Sequence, residues 1–302
     1  MPAQPPTLSR LPRLTTAQAP LTCEVDAVNE YGEAQKIAIP AERALTVYVD
    51  KRELVTLMTL GANPELLVLG YLRNQRLVKD VADIDSITVD WDVGAAAVKT
   101  RHGIEDIEEK TSRRVVTTGC GQGSVFGGLM DEVDEIVLSA DAHITQAQLY
   151  SLVNTIRLKE TTYKSAGSVH ACALFAMTGG DPEMLLFVED VGRHNAIDTI
   201  AGWMSMQNNP AVLEAGKVFY TTGRLTSEMV IKSAQMNVPI VVSRSGITQM
   251  GHQVAQTVGL CAIGRATNKR FVCYANPQRL KLQPELAGAK PVSSSSSSTT
   301  AP

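Results

Sequence analysis

The sequence predicts an α/β protein, an α/β C-terminal domain preceded by a β-rich part, and three observations carry that reading. Beyond about residue 144, strand-length apolar segments alternate with amphipathic segments of roughly ten residues, the rhythm of βαβ units on a largely parallel sheet. Before that point, short alternating runs are separated by turn residues. The chain has 302 residues, 44% of them apolar, enough for one large or two modest cores.

Residues 1–18 are rich in Pro, Thr and Ala and are expected to form a disordered arm. Residues 19–135 make the β-rich part. Residues 44–49 alternate like a strand, and Asn63-Pro64 opens a helix over 65–73 with proline in its first turn. Residues 86–91 and 96–100 alternate as paired strands around the turn Asp92-Val93-Gly94. The charged run 101–114 reads as a solvated edge. A short strand, 115–118, then delivers the chain into Gly119-Cys120-Gly121-Gln122-Gly123-Ser124.

Residues 136–282 make the α/β domain. Thr145 is placed to cap a helix that runs to Lys159. Strands are expected over 171–177, 184–188, 217–222, 239–243, 260–263 and 271–274. Helices are expected over 195–204, 227–236 and 248–258. Residues 283–302 end in six serines, a low-complexity tail expected to be disordered.

Composition narrows the function. A net charge of -3 gives no basis for bulk nucleic-acid binding. No stretch approaches the roughly 18 apolar residues that span a bilayer, and the N-terminus lacks a signal pattern, so a cytoplasmic protein with no membrane partner is expected. Five cysteines, an odd number, with no CxxC pair and no zinc spacing, argue against a disulfide framework and against a metal site.

Three strand ends share a chemistry. They read Glu189-Asp190-Val191-Gly192-Arg193-His194-Asn195, Thr221-Thr222-Gly223-Arg224-Leu225-Thr226-Ser227 and Ser243-Arg244-Ser245-Gly246-Ile247-Thr248. Each holds glycine, arginine and a hydroxyl or amide, and each precedes a helix. Glycine admits close backbone approach, a helix start presents N–H groups, and arginine forks onto phosphate oxygens. One such loop alone reads as turn residues and a surface arginine. Three in register, at the carboxyl ends of strands, predict a site for a phosphate-rich ligand such as a nucleotide. No P-loop, GxGxxG, GxSxG or HExxH is present.

Cys120 differs from the other cysteines. Cys172, Cys261 and Cys273 lie inside apolar strands and read as small hydrophobes, and Cys23 has no polar constellation around it. Cys120 stands between two glycines at a strand end, either as an accessible nucleophile or as a plain turn residue. His170 and His194 are candidate proton carriers or structural hydrogen-bonding residues.

These segments together resemble the FdhD family, the sulfur carrier proteins required for formate dehydrogenase activity. The resemblance rests on Gly119-Cys120-Gly121, on Gly167-Ser168-Val169-His170-Ala171, on the run from Glu189 to Asp198, on Thr222 to Glu228 and on Val241 to Ser245, and covers roughly residues 20–280. It implies a C-terminal domain with a cytidine-deaminase-like three-layer fold, and a homodimer. It implies that Cys120 accepts sulfur from a cysteine desulfurase as a persulfide. The sulfur then passes to molybdenum (or tungsten) bis(molybdopterin guanine dinucleotide), the guanine-nucleotide-containing cofactor of formate dehydrogenase. In that reading Arg193, Arg224 and Arg244 hold phosphates with Gly223 and Ser243. Asp190 and Asn195 read the guanine, and His170 and His194 are polar contacts. The stretch Arg265-Ala266-Thr267-Asn268-Lys269-Arg270 contacts the cofactor with three basic residues. Many family members carry CxxC in the loop, whereas Gly123 stands here at the second position. Zinc deaminases need HxE and PCxxC, but the histidine here reads His170-Ala171-Cys172 and PCxxC is missing, which argues against deamination. The alternatives are a non-catalytic chaperone of the cofactor, with Cys120 a contact only, and a nucleotide-binding regulator.

Overall fold

The computed structural model describes residues 11–104, 107, 115–116, 123–124, 133–159, 162–214 and 216–287. In the N-terminal part, β1 (Arg13–Leu14), β4 (Arg43–Val49), β5 (Arg52–Thr59), β6 (Ile84–Asp90) and β7 (Ala95–Thr100) form one sheet in the order β1-β6-β7-β4-β5. Alternation fixes its inner face: Leu45, Val47 and Val49 of β4 and Ile87 and Val89 of β6 are buried. Helix α1 (Pro64–Asn74) covers that face through Leu67, Val68, Tyr71 and Leu72. A separate ribbon, β2 (Thr22–Val28) with β3 (Ala34–Pro40), turns at Asn29, whose Oδ1 accepts from the N–H groups of Tyr31 and Glu33. Two short pairs follow in sequence, β8 (Val115–Val116) with β9 (Gly123–Ser124), and β10 (Ile144–Thr145) with β17 (Leu280–Lys281).

The C-terminal part is a six-stranded sheet in three layers. Its strands are β11 (His170–Met177), β12 (Glu183–Asp190), β13 (Gly216–Thr221), β14 (Ile240–Ser243), β15 (Cys261–Thr267) and β16 (Arg270–Ala275), in the order β12-β11-β13-β14-β15-β16. One face packs on α2 (Gln146–Leu158), which meets Phe175, Val218, Tyr220 and Ile263. Short α3 (Thr162–Ala166) follows α2. The other face, with Cys172, Leu174, Phe219 and Val241, packs on α4 (Arg193–Ser205), α6 (Ser227–Gln235) and α7 (Gln249–Thr257). Helix α5 (Pro210–Glu214) leads into β13. Thr145 caps α2 as expected, in a capping box with Gln148.

The sheet is more mixed than the alternation of elements predicts. Strands β12 to β15 run in one direction through the crossovers of α4, α6 and α7, but β11 and β16 are antiparallel to their neighbours. Each joins its sequence neighbour by a connection too short for a parallel crossover, residues 178–182 and the pair Asn268-Lys269.

Two boundaries also differ. Residues 11–18, assigned by composition to a disordered arm, are docked. Arg13–Leu14 pairs with β6, and Glu65 accepts bonds from Thr15 Oγ1 (2.6 Å) and the Ala17 N–H (2.8 Å). The carboxylate at the start of α1 supplies the partner that composition does not reveal. At the other end, Gln283 is tied to α2: its N–H donates to Gln146 Oε1 and its Oε1 accepts from the Ala147 N–H. The serine-rich stretch lies outside the described residues.

The two parts meet along α1 and α4. Gly70 and Gly202 let these helices cross at backbone distance: a Cβ at 70 would stand 1.6 Å from the Asp198 carbonyl oxygen, and one at 202 would stand 2.0 Å from that of Leu66.

Candidate functional site

The second and third strand-end loops are woven together. Leu225 and Ile247 form a parallel bridge, the Arg244 N–H donates to Thr221 O, and Ser243 Oγ donates to Gly223 O at 2.7 Å. The first loop lies against the second through Arg193, whose Cδ would sit 2.8 Å from a Cβ at Gly223. A side chain at 223 would therefore displace the stem of Arg193.

A cavity of about 660 Å3 opens beside these loops, on the α2 face of the sheet, a size in the range of small-molecule sites. Its wall includes His170, Thr222, Arg244, Ser245 and the run Ala266-Thr267-Asn268. Thus His170, Arg244, Ala266, Thr267 and Asn268 are brought together as candidates. Arg265, Lys269 and Arg270 are exposed and do not line it, and neither does the exposed Arg224. The helices α4, α6 and α7 that begin at the loops lie on the other face.

Sequence reasoning missed the opposite wall. Arg157, Lys159, Tyr163 and Lys164 line the cavity from α2 and its continuation, and Phe187, Glu189 and Tyr220 line it from the sheet. Lys159 Nζ lies 5.6 Å from the Phe187 ring centroid, a cation–π contact. Glu189 accepts from the N–H groups of Thr162 (2.6 Å) and Tyr163 (3.2 Å), and so holds α3 against the strand. The basic last turn of α2 was the available signal, but only the tertiary fold shows which way it faces. With four basic side chains against one carboxylate already engaged by backbone, the cavity suits an anion.

His170 lines the cavity with its imidazole below the usual range, held there by burial and by the charges of Arg193 and Arg224. At neutral pH it is a neutral ring with one donor and one acceptor. Burial pushes the Tyr220 hydroxyl up to about 12, against the pull of Arg244, so it stays protonated.

The segment from Asp190 to Asp198 goes inward. Asp190 Oδ2 accepts from Thr59 Oγ1 (2.5 Å) and the Leu60 N–H (3.1 Å), and its Oδ1 from the Gly192 N–H and Asn195 Nδ2. Asn195 Nδ2 also donates to Met58 O. Both residues are at most 3% exposed and tie the end of β5 to the end of β12. Arg193 and His194 are buried too. His194 Nε2 lies 3.4 Å from Glu228, Glu228 lies 3.4 Å from Lys232, and Lys232 Nζ donates to Asp198 at 2.9 Å. Asn74 of α1 donates to the other Asp198 oxygen at 2.7 Å.

Cys120 lies outside the described residues. Cys172 is fully buried, donates to Thr221 Oγ1, and is pushed up to about 12 by burial, an inert thiol. Among the described residues, no group of three or more His, Cys, Asp or Glu is placed to hold a metal ion, and no helix is long and apolar enough to cross a membrane.

Comparison with known proteins places this geometry. A model of the FdhD/NarQ family matches residues 40–281. The Sulfur carrier protein FdhD of Bacillus subtilis (strain 168) is 30% identical over 83% of this chain and 94% of its own length. The protein of the same name from Wolinella succinogenes is 25% identical over 83% of this chain and 85% of its own. A solved chain from Desulfotalea psychrophila, described as a candidate formate dehydrogenase accessory protein, superposes with a TM-score of 0.67. It is 22% identical and covers 86% of this chain and all of its own, a likeness of fold.

Proposed function

The chain belongs to the FdhD/NarQ family, and on that premise we propose that it is a cytoplasmic sulfur carrier serving formate dehydrogenase. Cys120 takes sulfur from a cysteine desulfurase as a persulfide and passes it to the molybdenum bis(molybdopterin guanine dinucleotide) cofactor, the substrate of the transfer. The observation that carries the reading is the cationic cavity at the woven strand-end loops. Its volume fits one guanosine diphosphate arm, with Arg244 and the basic residues of α2 and α3 against the phosphates. Neutral His170 offers a hydrogen bond from the cavity wall. Asp190 and Asn195, bonded to each other and to β5, act on the ligand by holding Glu189 and the loop in place. Transfer conserves sulfur: the desulfurase persulfide gives its terminal sulfur to the Cys120 thiolate, and the desulfurase thiolate leaves. The three-layer part is read as cytidine-deaminase-like, and the working unit as a homodimer.

The test is sulfur loading. The chain is incubated with a cysteine desulfurase and cysteine, and the Cys120 peptide is weighed without reductant. Gain of one sulfur on Cys120, absent from Cys172 and abolished by Cys120→Ala, is expected. An unloaded Cys120, beside a control acceptor that loads, would leave the cofactor chaperone as the surviving function.

A further inference from the structure

Away from the cavity, two thiols meet across neighbouring strands. Cys261 begins β15, Cys273 lies on β16, and their Sγ atoms are 3.9 Å apart. Cys261 is fully buried, while Cys273 is half-buried, so Cys273 is the more reachable of the two. The strand pairing slips beside them, between Ala262 and Ile263, and again between Gly264 and Thr267. The hairpin is therefore irregular beside the thiols as well as near its turn. Its far end matters to the site: Thr267 and Asn268 line the cavity, and Tyr150 Oη of α2 donates to Lys269 O at the turn.

We propose that Cys261 and Cys273 are a reversible dithiol–disulfide site, oxidised by a peroxide, that clamps the β15–β16 hairpin. Cys273 is the attacking group, because it is the reachable one and because the Cys261 thiol facing it holds its own below the ordinary thiol range. Its thiolate attacks one peroxide oxygen. The S–O bond forms, the O–O bond breaks, and hydroxide leaves and is protonated to water. Cys261 sulfur then attacks the resulting sulfenic sulfur. The S–S bond forms, the S–O bond breaks, and the hydroxyl leaves with the Cys261 proton as water. Two thiols lose two electrons and hydrogen peroxide gains them. Cys273 stands opposite Ile263, so Cys261 is its diagonal neighbour, and closing the bond draws the sulfurs from 3.9 Å to about 2 Å with a shift of the hairpin at its slipped pairing. The proposal uses neither Cys120 nor the sulfur it would carry, so the two readings stand or fall independently.

The full-length reduced chain is treated with hydrogen peroxide, alkylated and digested with trypsin. Cleavage after Arg244, Arg265, Arg270 and Arg279 places the cysteines on different peptides, residues 245–265 and 271–279. These should appear joined, two hydrogens lighter than their sum, and separate with dithiothreitol, in the wild type and in Cys120→Ala alike. Two alkylatable thiols should be lost together. Cys273→Ser should leave Cys261 free, and amide exchange over residues 261–275 should slow in the oxidised chain. A bond from either cysteine to Cys23 or Cys120, Cys273 over-oxidised beside a free Cys261, two thiols that stay reduced, or unchanged exchange in the joined hairpin would each overturn the proposal.

Discussion

Lys232 donates to Asp198 at 2.9 Å with neither side chain exposed, and Glu228 lies 3.4 Å from the same ammonium. Burial alone would neutralise the lysine, but the two carboxylates outweigh it and hold Lys232 above its ordinary value. The pair is specific to the folded state, since Asn74, from another part of the chain, also bonds Asp198.

Lys232→Met removes the cation and leaves the carboxylates facing each other in the core. The expected loss is about 3–5 kcal/mol in urea denaturation. Adding Asp198→Asn should recover part of it. A double variant as unstable as the sum of the two single ones would show that the pair is not coupled.

Acid should weaken the fold through His194. Burial, and then the charges of Lys232, Arg193 and His170, hold its imidazole down to about 2. The unfolded histidine takes a proton near pH 6.5, so below that value the unfolded state binds more protons. Stability from this group is full above about pH 6.5 and is lost as the pH falls, by about 2 kcal/mol at pH 5. Denaturation at pH 7.5 and 5.0 should show the drop. His194→Gln should flatten it in part, with the remaining slope coming from His170, which is depressed in the same sense.

At the helix crossing, Gly70→Ala or Gly202→Ala places a methyl group against backbone that cannot yield without parting α1 from α4. Each should cost about 3 kcal/mol. Gly180→Ala, with nothing within 4 Å of its Cβ, should stay within about 0.5 kcal/mol of wild type. Thermal melts of the three variants make the comparison.

Arg244 lines the cavity and Arg265 does not. Arg244→Ala should weaken binding of guanosine diphosphate by roughly 10- to 100-fold, the worth of a charged hydrogen bond, and Arg265→Ala should change it little. Isothermal titration at two salt concentrations reads both. Equal losses would move the phosphates to the β15–β16 turn.

The strand-end loops were legible because glycine, arginine and hydroxyls after a strand are a local signature, and Gly223, Ser243 and Arg244 do lie at one edge. The opposite wall was not. Arg157 and Lys164 reach the cavity only because α2 packs on the sheet and α3 follows it there, a relation no local pattern encodes. The run from Asp190 to Asp198 shows the reverse failure. Its polar residues read as ligand contacts, yet Asp190, Asn195 and Asp198 are satisfied by Thr59, Met58 and Asn74, all more than a hundred positions away. The ribbon β2–β3 left a signal that was passed over: residues 22–27 alternate strictly between polar and apolar, although neither strand buries a residue.

The glycine crossing has a consequence for how the chain can be divided. The Gly70 face of one half and the Gly202 face of the other are complementary halves of one joint, and the Asp190 and Asp198 bonds stitch the same seam. A chain nicked between the two sheets would yield fragments that each present an apolar, glycine-notched helix with its natural mate in the other piece. They would behave as a split protein that reassembles when both fragments are present. Neither would serve as a freestanding module to be shuffled into another polypeptide.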